Sequence, residues 1–147
     1  MTDQRKLSVS LILALGTFAL VGSMALVGLI NTIRWLAGLP PEADLSTLPP
    51  QIVLGILKLV LQFLACLVGF MCVIYASRKF AFGCSIIAVG VLLLLHIASW
   101  LFGPATLGAS FLAKYGLRIG FAVWLVALLI ALVPNNSFKP KPLRGSA

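Results

Sequence analysis

Hydrophobic residues along the chain fall into four long runs, which short polar, charged or proline-containing segments separate. An α-helix needs about 20 consecutive apolar residues to span about 30 Å of hydrocarbon, and each run reaches that length. The pattern therefore predicts four transmembrane helices, at about residues 7–30, 52–76, 80–102 and 110–133.

Proline and polar residues mark the ends of these predicted helices. Pro50 suits the first turn of the second helix, where its missing N–H costs nothing. Ser110 is a predicted N-cap for the fourth helix, and Pro134 cannot continue that helix. Residues 134–147, in which prolines alternate with basic residues, are predicted to form a flexible basic tail.

The connections between the predicted helices are short, so consecutive helices are expected to be antiparallel neighbours. The predicted fold class is an all-α integral membrane protein with an up-down-up-down bundle of four transmembrane helices. We expect residues 1–147 to form one domain. Small residues at four-residue spacing, such as Gly116 and Gly120, are typical of close helix packing in membranes.

Composition supports a bilayer environment. Hydrophobic residues make up 61% of the chain and charged residues 10%, whereas a soluble domain is about 25% charged. This excludes a water-soluble globular fold. The formal net charge of +8 then becomes a guide to membrane orientation, because short cytoplasmic loops are enriched in lysine and arginine.

The basic residues divide unequally between the two predicted membrane sides. Four belong to the outer side, namely Arg34, Lys58, Lys114 and Arg118. Seven belong to the other side, namely Arg5, Lys6, Arg78, Lys79, Lys139, Lys141 and Arg144. The division predicts that both termini are cytoplasmic, and we expect a bacterial inner (plasma) membrane location.

Few residues in the chain are suited to catalysis or to metal binding. Asp3, Glu42 and Asp44 fall in the N-terminal tail and the first loop, and His96 is the single histidine. The three cysteines form no CxxC pair, and we interpret them as small apolar packing groups. We therefore expect no enzymatic activity, no metal site, no cofactor and no nucleic-acid partner.

Ionisable and polar residues within the apolar runs are the candidate site, because such groups are costly in a membrane. Lys58 lies seven positions past Gln51, about 10 Å along the helix. His96 and Arg118 lie at a similar depth in the third and fourth helices. If these side chains face inward, they form a basic pocket for an anionic headgroup or a quinone. Its predicted residues are Lys58, Gln62, His96, Ser99, Lys114 and Arg118.

Each of these residues also has a structural interpretation. Lys58 and Arg118 can extend along their helices to place their charges at the outer headgroups. Glu42 or Asp44 can fold back and neutralise one of them. His96 can be a neutral packing residue that is hydrogen-bonded within the bundle, and Gln62 can bind another helix in an oligomer.

Two functions remain open at this stage. The first is a non-catalytic accessory or assembly subunit of a larger membrane complex, which contributes to a lipid or quinone site. It fits the small size and the scarcity of catalytic groups. The alternative is a homo-oligomeric transporter or flippase for an anionic lipid-linked substrate, which uses the outward-facing basic pocket. The expected partners are other membrane subunits or further copies of this chain, together with membrane lipids.

Overall fold

The computed structural model describes residues 9–102 and 111–133 of the chain. It contains four long helices, α1 (Val9–Ala37), α2 (Pro50–Tyr75), α3 (Arg78–Phe102) and α4 (Phe111–Leu132), and a short 3₁₀ helix at Leu45–Thr47. The predictions for residues 1–8, for the Ser110 cap and for the tail 134–147 lie outside the described residues.

The all-helical prediction is confirmed. Each of the four helices is long and apolar enough to cross a membrane, by length and composition. Their outer surfaces carry many large apolar side chains, and Leu117 is 82% exposed. Soluble monomers rarely expose continuous apolar surfaces of this extent, so the exposed faces fit a hydrocarbon surrounding.

Helix α1 is longer than its hydrophobic run. The predicted end was about residue 30, but the helix continues to Ala37. Thr32 is accommodated because its hydroxyl donates to the Gly28 carbonyl at 2.8 Å. The helix ends where Gly38 and Pro40 follow, since proline disfavours helical geometry in the residue before it. Backbone chemistry, rather than the loss of hydrophobicity, sets this boundary.

The connection between α2 and α3 is two residues long. At the end of α2 the Ala76 N–H donates to the Cys72 carbonyl at 3.0 Å, and the Ala81 N–H donates to the Ser77 carbonyl at 2.8 Å. Two long helices joined by so short a link can pack along their length only if they run in opposite directions. Helices α2 and α3 are therefore antiparallel neighbours.

Glycines bring α1 and α2 into close contact. The Phe18 ring of α1 lies against Gly69 of α2, and Gly22 of α1 lies against Cys66 of α2. As the residue number rises along α1 it falls along α2, so this pair is also antiparallel. The end of α1 and the start of α2 consequently lie at the same end of the bundle.

Helix α4 packs against α3 and, less extensively, against α1. Between their described residues, α2 and α4 do not pack against each other. The apolar core lies among all four helices, and its most completely buried large side chains are Phe18, Val89, Leu125 and Leu132. A gap therefore lies between α2 and α4, and α3 closes one side of it.

A hydrogen bond between side chains joins α1 to α4. The Trp124 indole N–H donates to the Thr17 hydroxyl oxygen at 3.0 Å, and that hydroxyl donates to the Leu13 carbonyl of its own helix at 2.8 Å. Thr17 is buried, so it acts as both donor and acceptor inside the bundle. This bond holds α4 against the rest of the structure.

Replacing Thr17 by valine is expected to lower the free energy of unfolding by about 1 kcal/mol, because the Trp124 N–H loses its acceptor. Thr32→Val is the matched control, since among the described residues the Thr32 hydroxyl bonds only within its own helix. Unfolding of the detergent-solubilised protein in a denaturant series measures the difference. Equal stability of the two variants would contradict a stabilising role for the bond.

Candidate functional site

A cavity of about 400 Å³ lies near the end of the bundle where α2 and α4 begin and α3 ends. We call it the cationic cavity, after the two basic side chains in its wall. Its apolar lining comes mainly from leucines of α2 and α3. Its polar lining consists of Gln51, Lys58, His96, Ser99 and Arg118.

The packing of the helices explains where this cavity lies. Helices α2 and α4 both pack against α3 but not against each other. The space between them is therefore bounded below by α3 and at the sides by α2 and α4. Lys58 lines it from the α2 side, Arg118 lines it from the α4 side, and His96 lines it from α3.

Four of the six predicted site residues line the cationic cavity. Lys58, His96 and Ser99 are half-buried there, and Arg118 is exposed. Gln62 is half-buried on α2, one turn beyond Lys58, but it does not line the cavity. Lys114 belongs to α4, and its side chain lies outside the described residues.

His96 connects α3 to α4. Its Nε2 atom lies 2.9 Å from the Arg118 carbonyl oxygen, and the Trp100 indole N–H points to the same nitrogen at 3.2 Å. A neutral imidazole nitrogen either donates or accepts, so it satisfies one of these partners at a time. The ring also meets Phe121 of α4 edge-on, with centroids 5.1 Å apart.

The contacts of His96 fit both interpretations of this residue, as a packing histidine and as a site residue. The ring packs between helices as a hydrogen-bonded interior histidine does, and it also lines the cavity. Ser99 is similarly engaged, because its hydroxyl donates to the His96 carbonyl at 2.7 Å. His96 and Ser99 thus already have partners in the protein itself.

No acidic side chain within the described residues neutralises the two cations. Lys58 and Arg118 are close enough for their charges to repel. Asp44 in the first loop instead accepts the Ser46 N–H at 3.0 Å. Hydrogen bonds from the Ser46 side chain and backbone hold the pKa of Asp44 below its ordinary value. Neither Asp44 nor Glu42 pairs with Lys58 or Arg118 in the part of the chain that the structure describes.

Gln51 and Gly55 also line the cavity, although neither is among the predicted site residues. Their spacing carried a signal, since residues 51, 55 and 58 recur at helical intervals and share one face of α2. Gly55 leaves open space beside the backbone, because a Cβ atom added there would meet nothing within 4 Å. The cavity therefore depends on a missing side chain as well as on charged ones.

The chemistry of this lining is that of an anion site in apolar surroundings. The described lining contains two cations and no carboxylate or thiol. Such a site can bind and orient a negatively charged group. Comparison of the chain with models of known families, with curated proteins and with solved structures finds no match.

Proposed function

We propose that this protein is a non-catalytic accessory subunit of a membrane complex that binds the anionic headgroup of a membrane amphiphile. One observation carries the proposal. Three helices bring Lys58, His96 and Arg118 to one cavity whose remaining walls are mostly apolar. A headgroup fits between the cations, and an apolar tail fits along the leucines of α2 and the exposed apolar faces beside it.

The core beneath the cavity favours binding over transport. Leu92 lies one turn from His96 on α3 and is 2% exposed, and Leu125 of α4 is fully buried. These side chains fill the interior of the described bundle below the cavity. A single copy of the chain therefore offers a headgroup site at one end and a packed interior beyond it.

The proposal includes a membrane orientation. The predicted unequal division of basic residues favours cytoplasmic termini in an up-down-up-down bundle. In a bacterial inner membrane this orientation puts the cationic cavity at the outer leaflet. Lys58 and Arg118 then line a site on the outer-leaflet side of the bundle, so the amphiphile can enter sideways from the bilayer.

Native mass spectrometry of the protein extracted gently from its own membranes tests this function. We expect the chain to be recovered in fixed stoichiometry with other subunits and with an anionic amphiphile. Gly55→Leu is expected to weaken retention of that amphiphile about tenfold, because the new side chain fills the cavity without changing its charge. Subunit stoichiometry is expected to be unchanged.

Gly16→Leu is the matched control. A Cβ atom at Gly16 also meets nothing within 4 Å, but Gly16 lies on α1 and does not line the cavity. Equal retention by both variants would contradict binding in the cavity. Recovery as a homo-oligomer without other subunits would contradict the accessory role and support the transporter alternative. Retention of a quinone in place of an anionic amphiphile would contradict the proposed ligand.

A further inference from the structure

The cationic cavity carries two positive charges that its own described residues do not balance. Lys58 and Arg118 both line it, and their charges repel each other. Lys58 is half-buried within a membrane-spanning helix. Burial of an unpaired charge is costly, so a bound group that neutralises both cations stabilises the site more than one that neutralises a single cation.

His96 and Ser99 contribute less to recognition than the two cations, because both already have partners in the protein. The His96 Nε2 atom faces the Arg118 carbonyl and the Trp100 N–H. The Ser99 hydroxyl hydrogen is donated to the carbonyl of His96. Lysine and arginine side chains between them offer up to eight N–H donors and no acceptor. Recognition here therefore depends on the charge and the number of acceptor oxygens of the ligand.

We propose that the headgroup is a phosphate monoester or a diphosphate, an inference that rests on the proposed function. A phosphate monoester carries about −1.5 to −2 charges at pH 7 and three acceptor oxygens. It therefore matches Lys58 and Arg118 together, whereas a phosphodiester carries a single negative charge. A quinone carbonyl carries no charge and leaves both cations unbalanced. The cavity selects its lipid by the number of negative charges on the headgroup.

A lipid titration of the purified protein, read by native mass spectrometry, tests this selection. The probes are phosphatidic acid, which is a phosphate monoester, and phosphatidylglycerol, which is a phosphodiester, with identical acyl chains. We expect wild-type protein to bind phosphatidic acid about tenfold more tightly. Lys58→Gln and Arg118→Gln should each reduce this preference to about threefold or less, because one cation is left.

Arg34→Gln provides the matched control. Arg34 is an exposed cation near the end of α1, at the same end of the bundle, and it does not line the cavity. This variant should keep the preference of the wild type. Gly55→Leu, which leaves both cations in place, should bind both lipids weakly. Each variant is compared at equal amounts of monodisperse, helical protein.

The outcomes separate this inference from the proposed function. Equal binding of the two lipids by wild-type protein would contradict the preference for a doubly charged headgroup. The proposed site for an anionic amphiphile would then still stand. Weak binding of both lipids by wild type, unaffected by Gly55→Leu, overturns the site itself. Inorganic phosphate is added as a competitor. If inorganic phosphate displaces phosphatidic acid at equal concentration, the preference for a doubly charged phosphate group is supported. The ligand is then free phosphate rather than a lipid headgroup.

Discussion

Replacing Lys58 and Arg118 together by leucine is expected to weaken retention of the anionic amphiphile about a hundredfold or more. Each hydrogen bond to a charged group contributes about 1.5–3 kcal/mol, and the double variant removes both cations that face the ligand. The amount of folded protein in the membrane should stay unchanged. Leucine suits the apolar lining, and the change removes two cations that repel each other.

The matched control is Arg34→Leu with Lys79→Leu. It removes the same number of charges from two exposed positions that do not line the cavity. Binding by lipid titration and folded yield by size-exclusion chromatography are measured for both double variants. Normal binding after loss of Lys58 and Arg118 would contradict their role in binding the anionic headgroup. A yield that falls only when partner subunits are present would place the two residues in an interface.

Much of the helical architecture could be predicted because long apolar runs strongly favour helices. A chain that crosses hydrocarbon must satisfy its backbone hydrogen bonds internally, so long apolar runs become helices. The ends of helices were harder to locate. Helix α1 continues through Asn31, Thr32 and Arg34 to Ala37, because polar residues do not by themselves prevent helical geometry. The helix ends only where Gly38 and, two residues later, Pro40 follow.

The candidate site was partly predictable for a similar reason. The depth of a residue follows from its position along a helix, so Lys58, His96 and Arg118 could be assigned to one layer of the bundle. The direction in which each faces depends on how the helices are rotated against each other. Contacts such as Gly22 against Cys66 set that rotation, and they depend on tertiary packing. Gln62 therefore lies four residues after Lys58, on the same face of α2, but does not line the cavity.

The close contact between α1 and α2 at Phe18 and Gly69 gives the second large expected effect. A Cβ atom added at Gly69 would lie 2.7 and 2.8 Å from the Cε2 and Cζ atoms of Phe18. Real Cβ atoms do not approach other atoms so closely, and the Phe18 side chain is only 1% exposed. Gly69→Ala is therefore expected to lower the free energy of unfolding by about 1–3 kcal/mol, as overpacking of a filled core does.

Gly83→Ala is the control, because a Cβ atom at Gly83 of α3 meets nothing within 4 Å. Alanine should stabilise that helix by about 0.5–1 kcal/mol through its higher helix propensity. Adding Phe18→Leu to Gly69→Ala should recover part of the loss, since the shorter side chain leaves room for the new methyl group. Unfolding in a denaturant series measures all three variants. If Gly69→Ala is as stable as Gly83→Ala, α1 and α2 do not pack tightly at Phe18 and Gly69, and the described contact is contradicted.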